Sequence, residues 1–250
     1  MTDDQPAIPA ATLVVMRPAP APAPPDLLVV ERSAGMAFAG GAIVFPGGRI
    51  DDDDHALASR LGYPGEAARV TAIRETLEES AVAVGLGPVD PARGPGLQAA
   101  LLAGEPFARL IEREALALDL DSLTLFARWR PAFRHARRFD TLFFLAEAPA
   151  GDWAPIPQPG ECVAAEWASA AALLERIEAG TANAIFPTKR NLERLALYAD
   201  HGEATADAGR YPIEPIEPWI ERRGGVDQVC IPPERGYPVT SEPLATAFRA

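Results

Sequence analysis

The chain has 250 residues, 48% of them hydrophobic, which is enough for one sizeable core and unlike a disordered or fibrous polymer. Its formal charge of -12 argues against a sequence-independent grip on nucleic acid, which needs many Lys and Arg contacts to phosphate. An anionic substrate must then be met by a local device, such as a bound cation or a cluster of arginines. The two cysteines, Cys162 and Cys230, form no CxxC or CxxH pair, so neither a zinc site nor a disulfide framework is expected and a reducing cytoplasm fits best.

Residues 1–9 are acidic and Pro-containing, lack the basic start and apolar run of an export signal, and read as a flexible tail. No stretch reaches about 18 apolar residues, so no membrane span is expected. "ATLVVMR" (11–17) has strand composition, "PAPAPAPPD" (18–26) is a stiff connector unable to pair in a sheet, and "LLVVERS" (27–33) is the return arm of a hairpin. The Gly-rich stretch 35–50 holds one short strand, Ala42 to Phe45, before a tight turn at Pro46, Gly47 and Gly48. Residues 51–66 form a short helix capped by aspartates, the "DDDD" run being a solvated cap and not a metal site.

From Glu66 to about Val84, Val70, Ile73, Leu77, Ala81 and Val84 recur at spacings of three and four and predict a helix with one apolar stripe. At about 100° per residue, Glu75, Glu78 and Glu79 converge on the opposite side. After a Gly- and Pro-rich break (85–96), the stretch from Leu97 to Trp129 reads as two or three helical pieces broken near Gly104 and Pro106. "FDTLFFLAEAP" (139–149) and "CVAAEWAS" (162–169) are strands, and "AALLERIEAG" and "FPTKRNLERLALYAD" are helices, the second starting after Pro187. Beyond Gly202 the chain is Pro- and Gly-rich, with one strand at "VDQVCI". Trp129, Trp153, Trp167 and Trp219 read as packing residues, and His55 and His201 as surface ones.

Like charges three or four residues apart on a helix repel by a few tenths of a kcal/mol per pair. Three carboxylates on one face are therefore either a solvated acidic surface or a site for a hard divalent cation, which takes oxygen ligands. "FPGG" (45–48) adds a turn whose carbonyl can approach a metal because glycine has no Cβ in the way.

These residues resemble the Nudix box: a Gly, five residues, a Glu, seven residues, then REUXEEXGU with U aliphatic. Glu66, Arg74, Glu75, Glu78, Glu79 and Val82 fall in register. The sequence departs at three points: Gly48 lies 18 residues before Glu66 instead of six, with the extra positions in 49–65, and Thr76 and Ala81 replace an aliphatic residue and a glycine. The resemblance implies hydrolysis of a diphosphate linked to another group. It also implies Mg²⁺ or Mn²⁺ held by Glu75, Glu78, Glu79 and the Gly48 carbonyl, with Arg74 orienting a carboxylate. Glu66 would brace the loop and helix or help position water, and Glu161 or Glu166 are candidates for the proton acceptor.

The preceding segment, "LVVERSAGMAFAGGAIVFPGG" (28–48), is similar to the coenzyme A diphosphatase branch and to its longer peroxisomal acyl-CoA type. Leu28, Arg32, Ser33, Gly41 and Phe45 to Gly48 match, whereas Val30 and Ala37 replace a Thr and an Arg. The resemblance then implies cleavage of coenzyme A or acyl-CoA to 3',5'-ADP and (acyl-)phosphopantetheine. Arg32 would contact phosphate, and the run "RWRPAFRHARRFD" (128–140), Arg137 and Arg138 above all, would supply charge for the 3'-phosphate. Hydrolysis of ADP-ribose, NADH or another nucleoside diphosphate derivative is the alternative, and a non-catalytic nucleotide-sensing domain is a third reading. A small-molecule partner is implied, with no nucleic acid or membrane, and a homodimer is compatible. The expected architecture is α+β: a mixed sheet sandwiched between helices in one domain (10–200), a helical insert at about 95–127, and a C-terminal extension (201–250) packed on the domain.

Overall fold

The computed structural model describes residues 6–20, 22–36, 38–130 and 138–247. Its centre is β1 (Ile8–Arg17), which begins inside the stretch expected to be a tail because Ile8 to Ala10 already pair in parallel with Phe139 to Thr141. That partner strand is β6 (Phe139–Glu147), which also pairs antiparallel with β5 (Thr124–Trp129). On its other edge β1 is shared. Its first half pairs with β4 (Gly47–Arg49), and its end pairs with β2 (Asp26–Arg32), the expected hairpin return. β2 continues the sheet through β7 (Cys162–Ser169) and through β3 (Ala42–Val44), which carries β8 (Asn183–Ala184) in parallel.

Alternation along the strands sorts side chains onto two faces. Leu13, Val15 and Phe144 face a core shared with Val70, Ile73 and Leu77 of α2 (Ala67–Ser80), while Val14, Met16, Phe143 and Leu145 face a second core on the opposite side. The first core also takes Leu57 from α1 (Asp52–Arg60), Leu97 and Leu101 from α3 (Gly94–Leu102), and Phe107 and Leu110 from α4 (Phe107–Glu114). The second takes Leu173 from α5 (Ala170–Glu178), Leu192 and Leu195 from α6 (Phe186–Leu195), and Ala204 and Ala208 from α7 (His201–Ala208). A mixed sheet between two helical layers follows, each fully buried Leu or Ile contributing roughly 1.5–3 kcal/mol. Val229, Ile231 and Tyr237 add to the second core from beyond α7.

Four local expectations are corrected. Gly47 and Gly48 sit in β4 and not in a turn, because their backbone pairs with Thr12 and Ala11. A Cβ on Gly47 would lie 2.5 Å from the Ala11 carbonyl oxygen, so glycine is required by the close approach of the two strands. The segment Thr124–Trp129, expected at the end of the helical insert, is β5; its β-branched and aromatic residues pair with β6, and α3 begins earlier, at Gly94. α2 stops at Ser80, since Ala81 turns left-handed with φ 59° and carries the chain out of the helix. A non-glycine residue in that conformation costs roughly 1 kcal/mol, which is why the motif places glycine there. Past residue 200 the chain forms α7 and a three-stranded antiparallel sheet of β9 (Trp219–Arg223), β10 (Val226–Cys230) and β11 (Ser241–Pro243), followed by α8 (Leu244–Ala247), where one strand was expected.

No helix among the described residues is long and apolar enough to cross a membrane. Cys162 and Cys230 are free and buried.

Candidate active site

α2 is buried on nearly all sides; within it only Arg69, Arg74, Glu75 and Glu78 keep partial exposure. A helix so enclosed must satisfy its polar groups from its neighbours. The Thr76 hydroxyl, at the aliphatic position of the motif, donates to the Ala72 carbonyl at 2.7 Å. The carbonyls at the helix end are also met: Gln98 donates to the Glu78 carbonyl at 2.9 Å, and the backbone N–H groups of Ile156 and Gln158 reach those of Ser80 and Glu79.

The exposed edge of α2 carries the ionic cluster. Arg74 Nη1 donates to Glu75 Oε1 at 2.8 Å and to Glu78 Oε2 at 3.2 Å. Its Nε and Nη2 grip both oxygens of Asp54, at 2.9 and 2.8 Å, in a bidentate pair. Glu79, only 2% exposed, accepts from the Gly47 N–H at 3.0 Å and from Arg32 Nη1 at 3.2 Å. Arg32 Nε is buried and finds no acceptor among the described residues. Gly48 faces Glu75 so closely that a Cβ there would lie 2.5 Å from Glu75 Cδ. The structure therefore brings Gly48, Arg74, Glu75, Glu78, Glu79 and Arg32 together.

Sequence reasoning missed Asp54. It is 2% exposed, accepts from Thr71 Oγ1 at 2.8 Å and from the Asp51 N–H at 3.1 Å, and belongs to a run expected to be solvated. It stands six residues after Gly48, the spacing at which the motif carries its glutamate. Counting backward from Arg74 picks Glu66; counting forward from Gly48 picks Asp54. The contacts favour the second: Glu66 sits at the N-terminal edge of α2 and pairs with Arg69 at 2.7 Å, away from Arg74. The extra residues thus lie between Asp54 and α2.

Other expected residues fall elsewhere. Glu166 on β7 is paired with Arg176 at 2.6 Å, whereas Glu161 raises the proton affinity of both Glu78 and Glu79 by repulsion and so lies on the cluster's side. Of the arginine run, Arg128 is held bidentately by Asp140 and Arg130 by Glu217. Arg138 immediately precedes β6, its carbonyl accepting from the Ile8 N–H at 2.8 Å. Arg134, His135 and Arg137 lie outside the described residues.

Burial first, then mutual repulsion, sets the charge state. Desolvation raises Glu75 to about 7 despite Arg74, and desolvation with repulsion from Glu75 raises Glu79 to about 8 despite Gly47 and Arg32. Glu78 is raised for the same leading reason. Burial opposes the charge on Arg74, but Asp54, Glu75 and Glu78 overcome it and keep the guanidinium protonated. Among the described residues no three acidic, His or Cys side chains converge into a ready coordination shell. Arg74 holds Glu75 and Glu78, while Glu79 is turned to Gly47 and Arg32. The donor set is nonetheless all oxygen and strained by its own charge, which is the chemistry a hard cation relieves.

No family model matches the sequence, and no curated protein does. Among solved structures, the chain is similar to a NUDIX hydrolase from Alicyclobacillus acidocaldarius at 31% identity and a TM-score of 0.70, over 81% of this chain and 97% of that one. It also aligns with the NUDIX domain of Shewanella oneidensis NrtR complexed with ADP ribose (16% identity, TM-score 0.41, 68% of this chain and 78% of that one). A MutT protein from Methanosarcina mazei Go1 aligns too (14% identity, TM-score 0.44, 77% and 94%).

Proposed function

This chain belongs to the Nudix hydrolases, enzymes that act on pyrophosphate bonds, and on that premise we propose that it cleaves the diphosphate of coenzyme A or an acyl-CoA with a divalent cation, Mg²⁺ or Mn²⁺. The observation that carries the reading is the placement of Glu75 and Glu78 on Arg74 with Glu75 against Gly48, and of Glu79 on the neighbouring Gly47 N–H beside Arg32, whose Nε is unpartnered. The three glutamates and the Gly48 carbonyl would hold the cation. When bound, it supplies neutralisation of the diphosphate charge and activation of water. Arg74 fixes the carboxylates of Glu75 and Glu78, and Asp54 fixes Arg74. Arg32 offers Nε to a phosphate oxygen, and Glu161 is the better placed of the two candidate proton acceptors. Two free, buried cysteines support a cytoplasmic setting.

Mass spectrometry of products from a panel of CoA esters, ADP-ribose and NADH with Mg²⁺ tests the substrate. Release of 3',5'-ADP from the CoA esters, lost when the 3'-phosphate is removed, is the expected result. Preferential turnover of ADP-ribose or NADH would establish the second reading. One observation favours that reading: Arg128 and Arg130 are neutralised by Asp140 and Glu217, which leaves less of the arginine run for a 3'-phosphate.

The cation also predicts a stability signature. Glu75 and Glu79 have folded-state proton affinities raised above the unfolded carboxylate, so the native state binds more protons and stability falls as pH rises from about 4.5 through about 7 and 8. The metal-free protein should melt several degrees lower at pH 8.5 than at pH 6. Millimolar Mg²⁺ should recover most of the loss at pH 8.5 and little at pH 6, read by calorimetry; a metal effect independent of pH would count against these glutamates as ligands.

A further inference from the structure

The hairpin of β9 and β10 takes no part in the ionic cluster. Its two-residue turn, Gly224 and Gly225, has φ of 58° and 84°, the paired left-handed residues of a type I′ turn. A Cβ added to either glycine would meet nothing within 4 Å, and every residue from Trp219 to Asp227 is exposed, so the tip stands clear of the body. Only the base is anchored: Val229 and Cys230 are buried, and β11 pairs from Gln228 onward. A two-stranded hairpin is at best marginally stable alone in water. This one nonetheless carries Trp219, Ile220 and Val226, which are 39%, 47% and 50% exposed.

β9 is also a free edge. The closing pair of a two-residue hairpin, here Arg223 and Val226, exchanges both backbone bonds, so Arg223, Glu221 and Trp219 turn their N–H and C=O groups to β10. Ile220 and Arg222 turn theirs outward, and among the described residues no strand receives them. β9 has neither the proline nor the bulge that blunts such an edge. Its charges are of both signs, and they fit a second copy. Two antiparallel strands about a two-fold axis oppose only residues of the same backbone orientation, so the allowed registers differ by two residues. With Arg222 on the axis, Glu221 lies opposite the second copy's Arg223, and Arg223 opposite its Glu221, at the closer positions where side chains meet. Glu221 and Arg223 already pair within the strand at 2.8 Å, so each carboxylate gains a second guanidinium. On the other face each Arg222 keeps its own Asp227, at 3.9 Å, as a counter-charge. Trp219 and Ile220 then reach over the glycine tip of the second copy, where no side chain blocks them. A slide of two residues either way opposes Glu221 with Glu221 or Arg223 with Arg223, which is unfavourable.

We propose that β9 is the interface of a homodimer: the hairpins of two copies pair edge to edge, antiparallel about a two-fold axis at Arg222, and join their three-stranded sheets into one. The contact is self-complementary and stops at two copies. It gives the exposed apolar residues and the outward backbone groups of the hairpin a partner, and it requires nothing of the substrate reading.

Sedimentation velocity on the full chain, at concentrations up to about 100 µM and moderate salt, reads the association directly. The wild type should form dimers and nothing larger. Arg222→Pro deletes the outward N–H at the axis without touching a bond to β10, and should weaken the dimer at least tenfold. Glu221→Arg and Arg223→Glu each set like charges opposite one another and should weaken it comparably. The double variant Glu221→Arg/Arg223→Glu exchanges the charges and should restore the dimer, and an equimolar mixture of the two single variants should dimerise where neither does alone. Circular dichroism and melting on each variant establish that the fold is kept, and the charge variants carry the test if the proline does not fold. A wild type that stays monomeric at about 100 µM, single reversals without effect, a dimer that survives Arg222→Pro in folded protein, or an exchange that fails to restore what the reversals break overturns the interface.

Discussion

Glu78→Gln is expected to lower turnover on the order of 10³-fold or more, about 4 kcal/mol of barrier, while leaving the fold intact. The substitution keeps the side chain's shape and removes its charge. Its main-chain carbonyl still accepts from Gln98, so the anchor between α2 and α3 is untouched. In the folded protein without metal, Glu78 is a desolvated carboxylate facing Asp54 and Glu161, with only part of the cost returned by Arg74. Gln at this position escapes that cost, so the metal-free variant should melt no lower than the wild type. Loss of activity with retained or increased stability is the mark of a group kept for chemistry at the expense of the fold. Steady-state kinetics and calorimetry on the same preparation check both halves. Undiminished turnover would remove Glu78 from the reaction.

The catalytic helix was legible because two independent signals coincide on it: an apolar repeat of three and four, and a fixed spacing of charged residues. Val70, Ile73 and Leu77 do enter the first core, and Glu75 and Glu78 share an edge with Arg74, while Glu79 is buried and turned to Gly47 and Arg32. Elements held by partners distant in sequence were harder to read. Gly47 and Gly48 have poor strand propensity, and they form β4 only because β1 passes beside them. Likewise "TLFARW" follows a helical stretch without a break in composition, and what makes it a strand is β6 on the far side of residues 131–137. The short helix α7 carries its own start signal, Asp200 accepting from the Glu203 N–H at 2.8 Å, but that signal was submerged in a Pro- and Gly-rich context. Asp54 was hidden differently. A run of four aspartates looks like solvent-facing charge, and nothing local distinguishes the one that turns inward to Thr71 and Arg74.

That inward turn leads to the second large effect. Asp54→Ala should cost about 3 kcal/mol of stability, because breaking a buried ion pair strands its partner, and Arg74 keeps Glu75, Glu78 and the more distant Asp51, at 3.9 Å, as counter-charges. For a chain of this size that is a fall in melting temperature of roughly 10 °C. Activity should drop about 10- to 100-fold as well, the range seen when a group that orients metal-binding side chains is lost. With Asp54 gone, Arg74 is free to swing and to hold Glu75 and Glu78 more tightly, drawing them away from a cation. Glu66→Ala is the matching control: its carboxylate is 45% exposed and pairs only with Arg69 in the same helix turn, so less than about 1 kcal/mol is at stake and turnover should change little. A double cycle with Arg74→Ala completes the argument. Asp54 and Arg74 should be strongly non-additive, since each loss removes the same contact, whereas Glu66 and Arg74 should add. Equal and small effects at Asp54 and Glu66, or additivity between Asp54 and Arg74, would mean that the first acidic position of the motif is not the aspartate six residues beyond Gly48.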